Sequence, residues 1–346
     1  MSTSRLVLTD VNLVDGEHPA KPGAHVVVDG RWIVAVGTGA FAARSDDRVV
    51  DLGGRTVMPG MVTCHFHSTY HELGAQPAPY GLEAPPAYQA LRAAKNLEIA
   101  LHCGFTSAVS AGAPSDIDAS MRRAINDRLI RGPRFVPGSR ELSTTGHGND
   151  TNPWYWEMAA WGAARCCDGA EEFQRAVRDE VKRGAEMIKL FVTGGHGVLT
   201  PKDRLEMTRA ELFAAVDTAH ERGVQIRGHI VNKPAILMAV EAGIDVIDHG
   251  DDMDDECIAA LAESGTFVAP SVLFPKTFLA QMGSGLEFTD QMRVDLERTL
   301  TVLPQANAAG VKLVVGDDYG AMGFAHGRYA EELEVYVRDA GIPALE

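Results

Sequence analysis

The sequence predicts an α/β fold: a (β/α)8 TIM barrel preceded by a small N-terminal β-sandwich unit. Three features of the chain carry this reading. The first fifty residues are short alternating runs separated by turn residues, the texture changes abruptly after Thr56-Val57-Met58-Pro59-Gly60, and from there eight apolar runs alternate with segments of helical periodicity. The boundary places a small β unit at 1–57 and the barrel at 58–346.

In the β unit the strands are expected at 6–9, 11–14, 25–28 and 32–36, with Asp29-Gly30 as a hairpin signal. Barrel strands are expected at 61–66, 105–110, 134–139, 187–192, 224–230, 245–248, 267–272 and 311–316. Helices are expected at 87–102, 117–131, 170–183, 209–222, 234–242, 255–263 and 290–309. Gly104, Gly184, Gly223, Gly243 and Gly310 follow five of these helices, where a left-handed cap residue is favoured. Alternating parallel strands and helices close into a barrel whose reactive groups sit where strands enter the following loops. An open doubly wound sheet is the competing architecture.

Composition narrows the function. The 346 residues are 45% hydrophobic and 23% charged, enough to bury a large core. Thirty-two basic against 47 acidic residues give a net charge of −15, and there is no basic run, so nucleic acid is not an expected partner. Five scattered cysteines fit a reducing compartment, and no apolar stretch approaches a membrane span. The expectation is a cytoplasmic, membrane-free protein acting on a small molecule, assembled as a homo-oligomer.

His65-Phe66-His67 ends the first barrel strand. Residues two apart share one strand face, so both imidazoles point inward and offer two nitrogens to a zinc-like ion. A short motif of this kind also arises by chance among 12 histidines, and two polar side chains at a barrel mouth is the plain alternative. His229 ends the fifth strand, His249 the sixth, and Asp318 follows the eighth, beside the first once the barrel closes. Lys189 is the anomaly, an ammonium on the inward face of the apolar strand Met187-Ile188-Lys189-Leu190-Phe191. Burial favours its neutral amine, which can add carbon dioxide to form a carbamate able to bridge two metals. A lysine reaching solvent or paired with an acid is the alternative.

The order HxH, Lys, His, His, Asp on strands one, four, five, six and eight resembles the amidohydrolase superfamily of metal-dependent hydrolases. Within it, the stretch from Gly184 to Leu190 followed by Thr193-Gly194-Gly195, and Ser143-Thr144-Thr145-Gly146-His147-Gly148, are similar to the imidazolonepropionase-like and dipeptidase-type branch. The resemblance implies a binuclear site with two divalent ions, zinc by expectation. His65, His67, carboxylated Lys189 and Asp318 would hold one ion, and Lys189, His229 and His249 the other, with Asp318 also the proton carrier. The implied activity is hydrolysis of C–N bonds in amides, carbamates or ureas by a metal-bridged hydroxide. A mononuclear deaminase or cyclic-amide hydrolase is the alternative enzyme, and a catalytically silent scaffold the alternative from another class.

Departures from that branch shape the expectation. Val231 stands two residues after His229, where Tyr or His often holds the substrate, which argues against simple dipeptides. Asn232 stands where deaminases place a glutamate. Members also continue past strand eight with strands that complete the β unit, so the chain is expected to leave sheet edges uncovered and to be poorly soluble alone. His147, His196, Tyr319 and His326 are candidate substrate contacts. Trp154-Tyr155-Trp156 and Phe274 are candidates for an apolar pocket wall, or the triplet packs the rim. His71, His102 and His220 are taken as structural or surface residues.

Overall fold

A computed structural model describes residues 4–72, 79–150, 152–156, 162–198, 200–282, 285, 287–321 and 323–344. The chain forms two compact units, Met1–Gly60 with Pro343–Glu346, and Met61–Ile342.

In the first unit, β1 (Leu6–Leu13), β2 (Lys21–Asp29), β3 (Trp32–Thr38), β4 (Arg48–Asp51) and β5 (Thr56–Val57) make one five-stranded sheet. Its order is β3-β2-β1-β4, with β5 also on β1. The expected break between strands 6–9 and 11–14 is instead a bulge within β1: the register slips between Leu8 and Val11, and Asp10 takes a left-handed φ of 49°. The Asp29-Gly30 hairpin forms as expected, with Asp29 paired to Trp32 across a two-residue turn.

The second unit begins with β6 (Met61–Phe66), α1 (Pro86–His102), β7 (Phe105–Ser110), α2 (Ile117–Asn126), β8 (Arg134–Val136), β9 (Gly138–Ser143), β10 (Ala164–Cys166) and α3 (Ala170–Lys182). It continues with β11 (Met187–Phe191), α4 (Arg209–Glu221), β12 (Gln225–Ile230), α5 (Lys233–Ala242), β13 (Val246–His249), α6 (Asp255–Ser264) and β14 (Phe267–Ala269). It ends with α7 (Leu273–Met282), α8 (Glu287–Ala308), β15 (Lys312–Leu313) and α9 (Tyr329–Arg338). The ladders between these strands are all parallel. The ladders are β6-β7-β8 and β10-β9-β11-β12-β13-β14-β15. Cys64 N–H donates to the Val315 carbonyl (2.7 Å) and Asp317 N–H to the His65 carbonyl (3.2 Å), so the first strand meets the last and the barrel closes.

Three elements depart from the sequence expectation. The third strand divides at Pro137, which has no N–H for a ladder, and its carbonyl accepts instead from Glu186 and Met187. Beyond the division β10 pairs with β9. The seventh strand ends at Ala269 and is followed by α7, whose first amides, Leu273 and Phe274, donate to Asp317 Oδ2 at 2.7 and 3.1 Å. That cap comes from a residue more than forty positions away, so no local capping signal announces the helix. Helix α9 likewise lies beyond the last expected element.

Apolar side chains between strands and helices form the core, with Ile188, Leu190, Ile226, Ile230 and Ile247 on one side and Phe66, Phe105, Phe135 and Leu97 on the other. The strand residues among these face outward toward the helices, where Leu97 of α1 meets them, leaving the inward positions free for polar groups. Among the described residues no helix is long and apolar enough to cross a membrane.

Candidate active site

The inward residues of adjacent strands lie in register: Glu141 beside Lys189 beside Arg227, and Phe191 beside His229 beside Asp248. Charged residues therefore occupy a buried layer, since Glu141, Lys189, Arg227 and Asp248 all have little exposure. Each is paired. Asp248 accepts from Lys189 Nζ at 2.5 Å, from Arg227 Nε at 3.0 Å and from Arg227 Nη2, and lies 3.2 Å from His65 Nδ1. Burial alone would raise the Asp248 carboxyl, but Arg227, Lys189 and His65 hold it well below the usual range. Glu141 accepts from Tyr70 Oη (3.0 Å) and from Asn149 Nδ2, and burial pushes its carboxyl up to about 7.

Above this layer the histidines gather. His65 Nε2 and His67 Nε2 are 3.3 Å apart, and Asp318 Oδ1 lies 3.1 Å from the first and 3.4 Å from the second. Their far nitrogens are occupied: His65 Nδ1 faces Asp248, and His67 Nδ1 faces the Gly112 carbonyl at 3.1 Å. His229 Nε2 faces the Gly195 carbonyl at 3.0 Å. A fixed oxygen on one ring nitrogen sets the tautomer and leaves the other nitrogen's lone pair for a cation. His249, at a φ of 76°, turns its ring to within 4.4 Å of His229 and 5.4 Å of His65, and its buried Nδ1 has no partner among the described residues. His65, His67 and Asp318, and separately His196, His249 and Asp318, place one ligand atom each within 4.8 Å of one another. These donor sets suit a borderline ion such as zinc.

Burial would raise Asp318, but His65 and His67 keep its carboxyl well below the usual range. Burial lowers His67 to about 4 and sends His229 and His249 well below the ordinary imidazole value. His65 differs: burial would lower it, but Asp248 and Asp318 raise it above the ordinary imidazole value. At His67, His229 and His249, neutral imidazoles beside the ionised Asp318 are the protonation states a divalent ion requires.

The six candidate ligands, His65, His67, Lys189, His229, His249 and Asp318, thus surround one mouth. A cavity of about 300 Å³ opens onto it, lined by His67, Lys189, His196, His229, His249 and Asp318 on its polar side. Tyr70, Tyr80, Phe191, Phe274, Phe278 and Phe288 form its aromatic side. Of the candidate substrate contacts, His196 lines this cavity. His147 is buried outside the lining, with Nδ1 2.9 Å from Thr200 Oγ1. Tyr319 is buried and donates to Glu332 Oε2 (2.8 Å), and His326 Nδ1 lies 2.9 Å from Tyr329 Oη, so both serve the packing behind Asp318. Trp154, Tyr155 and Trp156 are 94%, 66% and 47% exposed and do not wall the cavity, whereas Phe274 does.

Val231 is fully buried, its N–H bound to Thr193 Oγ1 at 3.0 Å. Asn232 caps α5, accepting from Ala235 N–H at 2.9 Å, and donates to the Lys202 carbonyl. Its role is local. Asn232→Ala is expected to lower stability by about 1 kcal/mol while turnover stays within about twofold of the parent, a 0.4 kcal/mol effect on the barrier. Thermal melts and steady-state rates check both halves.

Arg227, Asp248, Glu141 and Tyr70 escaped the sequence reading. Arg227 carried the same signal as Lys189, a cation on the inward face of an apolar strand, two residues before His229.

The family model described as "Amidohydrolase family" matches residues 56–346. The chain belongs to the amidohydrolase family. Ochratoxinase of Aspergillus niger is 28% identical over 360 residues, covering 96% of this chain and 72% of that protein. The crystal structure of A. niger ochratoxinase superposes with a TM-score of 0.82 at 25% identity, over 99% of this chain and 81% of the other. A Xaa-Pro dipeptidase with bound methionine gives a TM-score of 0.87 at 25% identity (99% and 85%). A prolidase complexed with N-methylphosphonate-L-proline gives 0.84 at 29% (98% and 84%). As an amidohydrolase the chain is a hydrolase of amide-type bonds that acts on small molecules.

Proposed function

We propose that this amidohydrolase cleaves C–N bonds of amides, carbamates or ureas that carry an aromatic group, at a binuclear metal centre. One observation carries the reading most directly. His65, His67 and His229 each have one ring nitrogen held by a fixed oxygen, with His65 Nε2 and His67 Nε2 converging on Asp318. His65, His67, Lys189 and Asp318 would hold one ion, and Lys189, His229 and His249 the other. When bound, such ions polarise a carbonyl and bring the pKa of water toward neutrality.

The chain's own groups do the rest. Asp318 is ionised and partly exposed at the cavity, so it can accept a proton from the attacking water and return it to the leaving nitrogen. Lys189 would take part in holding the ions once its neutral amine had added carbon dioxide, with the protons released to solvent, to give a carbamate that offers two oxygens. Asp248 then loses its lysine partner but keeps the two-pronged Arg227 contact, so the buried carboxylate stays compensated. Tyr70 stacks on His67 with ring centroids 3.8 Å apart and fixes that ring from the cavity side.

The aromatic cavity wall and the buried, apolar Val231 favour an aryl group beside the scissile carbonyl over a free α-carboxylate. Purified protein should carry about two divalent ions per chain, lose activity on chelation and regain it with zinc. It should also turn over aryl amides faster than simple dipeptides. One ion per chain by elemental analysis, or the opposite substrate order, would overturn the corresponding half.

A further inference from the structure

A second cavity of about 170 Å³ lies against the first. His196, Gly197, Val198, Phe288 and Met292 line both, so the two share one wall and one junction. This wall is built into the fold. A side-chain carbon at Gly194 would meet the Thr200 carbonyl oxygen at 2.1 Å, and one at Gly195 (φ +84°) would meet Lys202 Cβ at 2.6 Å. His196 takes a left-handed φ of 45° between two glycines that are also left-handed. Its Nδ1 lies 3.1 Å from both Asp251 oxygens, and its ring stacks on His249 at 3.9 Å. Its buried Nε2 has no hydrogen-bond partner among the described residues.

Beyond the junction Pro270, Val272, Pro275 and Leu296 give the lining an aliphatic side, with the uncharged Thr200, Ser271, Gln291 and Thr299 beside it. The charges along it are already matched. Lys202 Nζ is 2.6 Å from Asp295 Oδ1 and 3.0 Å from Asp252 Oδ1, Arg298 also bonds Asp252, and Asp251 is committed to His196. An entering carboxylate meets two lining aspartates, Asp251 and Asp295, while the lining cations Lys202 and His196 are already paired with carboxylates. A cation would lose its water shell to an apolar surface for no unpaired partner.

We infer that the second cavity is a substrate subsite for an uncharged, branched aliphatic arm, joined at His196 to the part of the substrate that lies in the first cavity. This rests on the first cavity being the hydrolytic site. A two-armed substrate fills both spaces, and a polar link between the arms finds a hydrogen-bonding atom in His196 Nε2.

The test is binding, which needs no turnover. Three non-hydrolysable aryl ketones, bearing a methyl group, an isobutyl arm or a carboxyethyl arm opposite the ring, are titrated into the metal-loaded protein by calorimetry. The isobutyl ketone should bind about tenfold more tightly than the methyl ketone, the gain expected from burying a few methylene groups. The carboxyethyl ketone should show no such gain. Thr299→Trp and Gln291→Trp place bulk in the second cavity without touching the first, Gln291 from an exposed position that folding tolerates. Either should abolish the isobutyl gain and leave methyl-ketone affinity within about twofold. Asp295→Asn removes one carboxylate from Lys202 and should raise the affinity of the carboxyethyl ketone relative to the isobutyl one. An isobutyl gain absent from the parent protein, or surviving both tryptophans, would overturn the inference, as would equal gain from the carboxylate arm. Absence of amide hydrolysis with these binding differences intact would count against the hydrolase reading alone.

Discussion

Lys189→Ala is expected to lose at least one metal ion per chain and about a thousandfold or more in kcat, while the barrel stays folded. The magnitude follows from the several kcal/mol that a polarising ion supplies to a transition state, each 1.36 kcal/mol being tenfold in rate. The fold should survive because the ammonium in this structure makes one hydrogen bond, to Asp248 Oδ2, and Asp248 keeps its contacts with Arg227 and His65. The space left by the side chain borders the cavity, so water or a small carboxylic acid can enter. Acetate or propionate in the buffer should therefore restore part of the metal content and part of the rate, because a free carboxylate supplies the two oxygens the carbamate would have offered. Elemental analysis with and without the acid is the deciding measurement. Full metal content and a near-normal rate in the alanine variant would remove Lys189 from the centre, and a collapsed melting transition would make it a structural partner of Asp248.

The barrel and most of its mouth were legible in the sequence because both rest on local signals. Apolar strands five or six residues long, helices with glycine at their ends, and polar residues on alternate strand positions are all readable within a short window. His65, His67, His229, His249 and Asp318 stood out because each lies at the end of a strand or in the loop just after it, where a barrel collects its reactive groups. What escaped depends on distant partners. Helix α7 is capped by Asp317 from across the last strand turn. Tyr319 and His326 lie in the loop that carries Asp318, yet their polar atoms turn to Glu332 and Tyr329 on α9, an element the periodicity did not reveal. The Trp154-Tyr155-Trp156 triplet shows the limit from the other side. Composition suggests a pocket wall, but only the path of the chain decides that these rings face solvent. Asp248 was hidden by its neighbour: beside His249 it reads as a polar strand end, and its importance appears only when Lys189 and Arg227 are found on it.

Arg227→Met is expected to destabilise the protein by about 3–5 kcal/mol, the usual penalty for breaking a buried ion pair and leaving its charge behind. Arg227 is fully buried, donates twice to Asp248, and also donates through Nη1 to the carbonyls of Cys64 (2.5 Å) and Ser110 (3.1 Å). One guanidinium thus ties β6, β7, β12 and β13 together across the barrel interior. Methionine fills similar volume but satisfies none of these acceptors. Arg227→Met combined with Asp248→Asn should recover part of the loss, since the neutral amide no longer needs a cation, although the orientation of His65 would still suffer. The pH dependence carries a definite sign. Asp248 is held well below its ordinary value, so its contribution to stability is present above the usual carboxylate range and is lost as pH falls through its depressed value. Without Arg227 that depression shrinks, and the stability gap between parent and variant should narrow as the solution is acidified. Denaturant melts of the parent, the single variant and the double variant at neutral pH and near pH 4 measure all three effects. A gap that stays constant across that range would mean Arg227 stabilises the barrel through the Cys64 and Ser110 carbonyls, with its charge on Asp248 contributing little.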